Sequence, residues 1–80
     1  MLEFGDHPKV VGLKQTRKAV KEGLALLVYI AEDADPAVTV PLEELCRQMG
    51  VKVEHVPSMA RLGAACNIEV GAATVAVLNR

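Results

Sequence analysis

The sequence contains very few aromatic residues. Phe4 and Tyr29 are the only two among 80 residues, and there is no tryptophan. Because 51% of the residues are nevertheless hydrophobic, the core must be built from aliphatic side chains. The same scarcity argues against the nucleic-acid-binding modules that stack bases on aromatic platforms.

Cysteine is also scarce. The two cysteines, Cys46 and Cys66, are too few for a disulfide framework, and their spacing is not that of a metal site. We therefore expect reduced thiols, no bound metal and no cofactor, in a reducing compartment.

Long apolar runs are absent as well. The longest, LALLVYIA at residues 24–31, has eight residues, whereas a helix needs about 20 apolar residues to cross a bilayer. The first residues, MLEFGDHPK, lack the pattern of a secretory signal peptide. We expect a soluble cytoplasmic protein that makes no membrane contact, folded as a single domain over residues 1–80.

The charge that is present is unevenly distributed. The formal net charge is only −1, but residues 22–60 contain seven acidic residues and, as bases, only Arg47 and Lys52. Residues 9–21 contain no acid and five basic residues, which are Lys9, Lys14, Arg17, Lys18 and Lys21. Since the local charge decides which partner a surface attracts, the basic segment favours an anion such as a phosphate backbone.

Apolar periodicity and breaker residues predict four strands separated by three helices. The strands are expected at residues 9–12, 24–31, 51–57 and 73–78, and the helices at residues 13–22, 41–49 and 59–66. Pro41 interrupts a helical pattern over residues 37–49, so we place the start of the second helix there, as a first-turn proline. Gly50, Ser58 and Asn67 are expected at helix ends. The alternation predicts an α/β protein with a three-layer α/β/α sandwich.

The stretch GLKQTRKAVK, residues 12–21, divides its side chains between two faces of one helix. At about 100° per residue, one arc of about 100° holds all the basic side chains, which are Lys14, Arg17, Lys18 and Lys21. The opposite side holds Thr16, Ala19 and Val20. We expect this second face to pack on the sheet.

Two interpretations of the basic face are open. Lysines on a solvated helix face are common and need no function of their own. However, this helix starts directly after Gly12, where a partner can approach the backbone and unpaired N–H groups attract an anion. Gln15 lies at the edge of the basic arc. Its amide can recognise a base edge, and a lysine can donate to O6 and N7 of guanine.

The loop NIEVGA, which follows the third helix, is unusually apolar. Ile68 and Val70 flank Glu69, where a short loop is normally polar. Either both side chains turn inward as the start of the last strand, or they stay partly exposed and enclose a planar apolar group such as an unstacked base. The residues alone favour neither interpretation.

No catalytic arrangement is apparent, so we do not expect an enzyme. Asp33 and Asp35, at a strand end, suggest a Mg²⁺ site, but DADP fits turn and helix-capping chemistry better. His55 has no nucleophile or carboxylate partner at a suitable spacing, and no phosphate-binding glycine motif is present. Besides the binding of a nucleic acid, two other functions stay open, namely a small α/β subunit for protein assembly and a Mg²⁺-dependent enzyme that acts on a phosphate ligand at Asp33 and Asp35.

Four segments together resemble a known family. GLKQTRKAV, AEDADP, VPSMARLG and CNIEVGAATVAV have the order and spacing of the kink-turn RNA-binding ribosomal proteins, the L-seven-Ae and L-thirty-e family, and in particular of its small bacterial ribosomal-protein-like members. The match spans Lys9 to Leu78. The resemblance implies a protein, expected to be monomeric, that recognises kink-turns in structured RNA, either ribosomal or regulatory. Kink-turns are sharp bends beside tandem sheared G·A pairs. A protein that recognises them can be a component of the ribosome.

The resemblance also implies roles for individual residues. Family members recognise guanine edges with the start of the first core helix, which corresponds to Gly12, Lys14, Gln15 and Lys18 here, while Arg17 and Lys21 supply phosphate attraction. The family's loop for an extruded nucleotide corresponds to Ile68, Glu69 and Val70, and Arg61 corresponds to a phosphate contact. Three positions depart from many relatives, which have Asn-Glu in place of Lys14-Gln15 and a lysine in place of Met59.

One geometric consequence follows from the resemblance. The start of the first helix and the loop before the last strand must meet at one site. The first and last strands must therefore be antiparallel, so we expect a mixed four-stranded sheet.

Overall fold

A computed structural model describes residues 7–79 of the chain. It contains the predicted four strands and three helices, in the predicted order. In chain order these are β1 (Lys9–Val11), α1 (Leu13–Lys21), β2 (Ala25–Ala31), α2 (Pro36–Met49), β3 (Lys52–Val56), α3 (Met59–Ala65) and β4 (Thr74–Leu78). The predicted domain of residues 1–80 extends at both ends beyond the described part.

The sheet is mixed, with the strand order β1-β4-β2-β3. β1 and β4 are antiparallel, with Val11 opposite Val75, and β4 and β2 are antiparallel as well. β2 and β3 are parallel, with Tyr29 opposite Glu54. The expectation that the first and last strands are antiparallel is confirmed.

Apolar clusters cover both faces of the sheet, because successive side chains of a strand point to opposite sides. On one face, Val28 and Ile30 of β2 pack with α1 and α2, an arrangement that we call the α1/α2-side core. On the other face, Tyr29 and Ala31 pack with α3, which we call the α3-side core. The predicted three-layer α/β/α sandwich is confirmed.

Helix α2 starts five residues earlier than predicted, at Pro36 instead of Pro41. Asp35 provides the cap, because its side chain accepts a hydrogen bond of 2.9 Å from the Ala37 N–H and its carbonyl accepts one of 3.1 Å from the Thr39 N–H. Pro36 takes the first helical position, where a missing N–H costs nothing. Pro41 lies inside the helix, where it removes one donor without ending the helix.

The other predicted helix ends are found. Gly50 ends α2 in a left-handed conformation with φ of 72°, and Asn67 has φ of 62° just after α3. The Ser58 hydroxyl caps α3 by accepting a hydrogen bond of 3.1 Å from the Arg61 N–H. The carboxylates of the DADP turn are also engaged with helix starts, because Asp33 Oδ1 accepts a hydrogen bond of 2.8 Å from the Met59 N–H. The capping interpretation of Asp33 and Asp35 is therefore confirmed.

Candidate functional site

Helix α1 has the two faces that its sequence predicts. Its buried residues are Thr16, Ala19 and Val20, and its exposed residues include Lys14, Gln15, Arg17, Lys18 and Lys21. Among the described residues, the ion pairs are Arg47–Glu44 and Lys52–Glu54, and the remaining contact of this kind joins His55 Nε2 to Glu43 Oε1 at 3.2 Å. The positive charge of α1 is therefore not neutralised by any of these pairs and remains available to an external anion.

The structure divides the α1 side chains further. Gln15 and Lys18 line a shallow concavity on the side of β1, together with Val10 and Leu78. Arg17 and Lys21 line a larger groove, of about 400 Å³, between α1 and α2. Of the side chains expected to recognise guanine, Gln15 and Lys18 thus lie towards the β1 edge. Lys14 lies on the outer face of α1, where it lines a third concavity together with Arg17, Lys18 and Lys21.

Gly12 connects β1 to α1 in a conformation that residues with a side chain rarely adopt. Its φ is 103° and its ψ is 158°, a region essentially restricted to glycine. Its N–H donates to the Thr74 carbonyl at 2.9 Å, and its own carbonyl accepts from the Thr16 N–H at 2.9 Å. Because glycine has no side chain to cap the helix, the N–H groups of the first turn have no cap from that position.

The loop between α3 and β4 is held against α3 at both ends. The Ile68 N–H donates to the Gly63 carbonyl at 3.1 Å, and the Ala72 N–H donates to the Met59 carbonyl at 3.0 Å. At Gly63, a Cβ atom would collide with the Val70 carbonyl oxygen. Glycine in the middle of a helix therefore allows the loop backbone to lie directly on α3.

The two apolar side chains of this loop lie in different environments. Ile68 is partly buried and packs against the α3-side core, whereas Val70 is 71% exposed. Glu69 between them is exposed. Ile68 therefore fits the inward interpretation of the loop, and Val70 fits the outward one. Val70 provides most of the exposed apolar surface of the loop.

The start of α1 and the loop before β4 lie at the same end of the sheet. The antiparallel pairing of Val11 with Val75 brings the end of β1 next to the beginning of β4. The hydrogen bond between Gly12 and Thr74 closes that connection. Arg61 is exposed on α3, the helix that holds the loop.

Several residues that shape this region were missed from the sequence. Thr74 bonds to Gly12 through its backbone and to Thr16 through its side chain, and Gly63 admits the loop. Gly63 had a signal, because glycine inside a helix is unfavourable and marks close packing. Thr74 had none, since a threonine in a strand is ordinary.

In the described part of the chain, neither a membrane-crossing helix nor a metal-binding cluster is found. No helix of residues 7–79 combines the length and apolar character that a membrane span requires. Within the same residues, no group of three or more His, Cys, Asp or Glu side chains is placed to hold a metal ion.

Comparison with known proteins gives consistent matches. Residues 6–80 match the sequence profile of the Ribosomal protein L7Ae/L30e/S12e/Gadd45 family. An RNA-binding protein of Geobacillus sp. (strain WCH70) is 52% identical over 69 residues, which cover 86% of this chain and 84% of that protein. An RNA-binding protein of Caldanaerobacter subterraneus subsp. tengcongensis is 46% identical over 76 residues, covering 95% of this chain and 93% of that protein.

A solved structure is similar as well. The Giardia lamblia 15.5kD RNA binding protein superposes with a TM-score of 0.85 and 33% sequence identity. The superposition covers 90% of this chain and 61% of the Giardia protein, so this chain spans about three fifths of that protein's length.

Proposed function

Because this chain belongs to the Ribosomal protein L7Ae/L30e/S12e/Gadd45 family, we propose that it is a non-enzymatic RNA-binding protein that recognises kink-turns in structured RNA. The two relatives described above are both RNA-binding proteins by name. The specific recognition of kink-turns, among structured RNAs, is supported by the shape of the candidate site.

A single observation carries the proposal, namely that a basic helix start and an exposed apolar loop adjoin each other. The pairing of Val11 with Val75 and the hydrogen bond from Gly12 to Thr74 bring the two together. A regular A-form duplex hides its base edges in a deep and narrow groove. A kinked duplex offers guanine edges and an extruded nucleotide close together, which requires a protein surface with both features.

The start of α1 supplies the recognition of guanine edges in this proposal. Lys14, Gln15 and Lys18 are exposed and carry amine and amide donors that suit guanine O6 and N7. Arg17 and Lys21 extend to the other side of α1 and supply sequence-independent phosphate attraction. The backbone at Gly12 allows RNA to approach the first turn closely.

The loop supplies the contact with the extruded base. Val70 has the exposed apolar surface, while Ile68 is anchored in the α3-side core and gives that surface a fixed support. Glu69 lies beside Val70 and can accept hydrogen bonds from a base or a ribose. Arg61, exposed on α3, is the proposed phosphate contact of this half of the site.

The proposal describes a binding protein and not a catalyst. The carboxylates of the alternative Mg²⁺ site each accept a hydrogen bond from a backbone N–H, Asp33 from Met59 and Asp35 from Ala37. We further propose that the protein acts as a monomer in the cytoplasm, on ribosomal RNA or on another structured RNA.

The experiment compares two RNAs at one salt concentration. The first contains a kink-turn, and the second is the same RNA with its tandem G·A pairs replaced by Watson–Crick pairs. We call the ratio of the two affinities the specificity ratio, and we expect it to be well above one. Equal affinity for both RNAs, or none for either, would contradict the proposal. A melting temperature that rises with Mg²⁺ in a chain that binds no RNA would favour the enzyme alternative.

A further inference from the structure

Two fully buried hydroxyl groups contact each other inside the core. Among residues 7–79, the buried polar or charged residues are Thr16, Thr39 and Thr74, and both Thr16 and Thr74 have 0% exposure. The Thr74 hydroxyl donates to the Thr16 hydroxyl over a distance of 3.2 Å between the oxygens. A buried hydroxyl without such a partner would be unfavourable, so each of these threonines depends on the other.

This hydrogen bond connects the two halves of the candidate site. Thr16 belongs to the first turn of α1, directly after Gln15, and Thr74 is the first residue of β4, directly after the loop. Both side chains are fully buried and cannot contact RNA themselves.

The segment that ends in Thr74 is bonded to several other elements. The Ala72 N–H donates to the Met59 carbonyl of α3 at 3.0 Å. The Ala73 carbonyl accepts from the Ala31 N–H of β2 at 2.9 Å, and the Thr74 carbonyl accepts from Gly12 at 2.9 Å. These backbone bonds fix the segment to the sheet and α3. The hydroxyl pair adds a side-chain hydrogen bond between this segment and the first turn of α1.

A hydroxyl pair contributes little to net stability, because replacing both partners by apolar groups of the same shape is often nearly neutral. The hydroxyl pair does, however, fix the distance between the two side chains. The two oxygens are 3.2 Å apart, whereas two carbon atoms prefer a separation of about 3.5–4.0 Å. A pair of valines would therefore pack well but move α1 outward by several tenths of an ångström, which is comparable to the ~0.5 Å tolerance of a binding site.

We propose that the Thr16–Thr74 hydrogen bond is a positioning contact that holds the start of α1 at the distance from the loop that a kink-turn requires, and that it thereby sets the specificity ratio. The inference rests on the proposed function. It assigns a role in RNA discrimination to two residues that RNA does not touch.

The test uses the double variant Thr16→Val/Thr74→Val in the full chain, with Thr16→Ser/Thr74→Ser as the conservative variant that retains both hydroxyls. We expect the double valine variant to unfold in urea near the wild-type midpoint and to keep its affinity for the RNA without G·A pairs. Its specificity ratio should fall about tenfold. The double serine variant should keep most of the ratio, which a purely structural role of the methyl groups would not explain.

A matched control separates positioning from general destabilisation. Cys46→Ala removes a fully buried side chain of the α1/α2-side core without touching the hydroxyl pair. It should lower stability and leave the specificity ratio unchanged. If the double valine variant does not fold, Thr74→Ala breaks the same hydrogen bond in a different way, because it removes the contact that holds α1 instead of lengthening it. A reduced ratio is again expected.

Three results would overturn the inference. The first is a folded double valine or Thr74→Ala variant whose ratio equals that of the wild type. The second is an equal loss of the ratio in Cys46→Ala. The third is a wild-type ratio of one, which removes the proposed function and this inference with it, whereas the first two leave the proposed function intact.

Discussion

Gly12 affects both the turn from β1 into α1 and the access of RNA to the proposed site. Its φ of 103° and ψ of 158° turn the chain from β1 into α1 in a conformation that costs other residues roughly 1–3 kcal/mol. Within residues 7–79 and apart from its chain neighbours, no other residue lies within 4 Å of where a Cβ would be, so the requirement for glycine comes from the backbone and not from crowding. The sequence indicated a glycine before a basic helix, but only the structure shows that its carbonyl and N–H are both bonded.

Gln15 is the residue at which we expect RNA sequence to be recognised. Gln15→Ala should weaken kink-turn binding by roughly 1–3 kcal/mol, because it removes a side-chain amide that hydrogen-bonds to a base edge. Its affinity for the RNA without G·A pairs should change little, so the specificity ratio falls. Filter binding of both RNAs at one salt concentration measures the effect.

Lys21→Ala is the matched comparison on the same helix, because Lys21 is exposed and lies on the α2 side of α1. It should weaken both RNAs alike and reduce the slope of log affinity against log salt by about one. If Gln15→Ala weakens the RNA without G·A pairs as much as the kink-turn RNA, specific recognition by Gln15 is wrong.

At the scale of elements, the sequence predicted the order and the layers well but one boundary poorly. The apolar run at residues 24–31 correctly predicts β2, but only its second half, residues 28–31, is fully buried, and Leu26 is 47% exposed. The predicted start of α2 at Pro41 is wrong, because a proline inside a helical pattern does not always mark the start of a helix. Asp35 and Pro36 already form a complete start, and the helix tolerates the one donor that Pro41 removes.

Part of the candidate site was predictable, because periodicity also determines which side chains share a helix face. The two faces of α1 follow from helical geometry alone, and the structure reproduces them. The meeting of α1 with the loop depended on strand direction, which periodicity does not contain and which entered through the family resemblance. The contacts that hold the loop, at Gly63 and Thr74, are long-range and have no local pattern.

The packing of the loop on α3 leads to a prediction at the scale of these two elements. Gly63→Ala should destabilise the protein by about 1–3 kcal/mol, because the added methyl group has no space against the Val70 carbonyl and the loop must shift. The shift should also weaken kink-turn binding, since it displaces Val70. Urea unfolding and RNA titration measure the two effects.

The neighbouring Ala64 provides a control that changes stability without moving the loop. Ala64 is exposed on the same helix, and Ala64→Gly should cost about 1 kcal/mol in helix propensity without pressing on the loop. It should therefore lower stability while leaving RNA affinity unchanged. A Gly63→Ala variant that binds kink-turn RNA as tightly as the wild type would show that the position of the loop is irrelevant to binding.

The whole molecule combines a nearly neutral charge with one strongly basic helix. With a formal net charge of −1, the chain as a whole has no long-range attraction for RNA. Binding must depend on the local field of α1 and on fitting the RNA shape. This explains why a protein with an acidic middle region can still have an RNA site at one end of its sheet.

The two thiols make the stability of the whole fold sensitive to alkaline pH. Burial raises the pKa of the Cys46 thiol, and the nearby charge of Glu43 raises it further. Burial also raises the pKa of the Cys66 thiol, opposed by the charge of Lys9. The unfolded chain therefore loses these protons near the ordinary pKa of 9.0, at a lower pH than the folded chain does.

The sign of the effect follows from this difference. The thiols contribute stability below about pH 9 that is lost as the pH rises, because the unfolded state then binds fewer protons than the folded state. We expect the free energy of unfolding to fall more steeply above pH 9 in the wild type than in Cys46→Ala/Cys66→Ala, measured by urea titrations at several pH values. Parallel pH profiles for the two proteins would contradict this assignment.

Whether the start of α1 and the loop before β4 form one RNA site can be measured by the backbone amide chemical shifts of the isotope-labelled protein titrated with kink-turn RNA. We expect the largest changes at Gly12–Lys18 and at residues 68–71, and we expect both segments to respond at the same RNA concentration. The amides of β3, Lys52–Val56, should stay nearly unchanged. Changes centred on β3 or on the groove between α1 and α2, with residues 68–71 unaffected, would contradict a single RNA site.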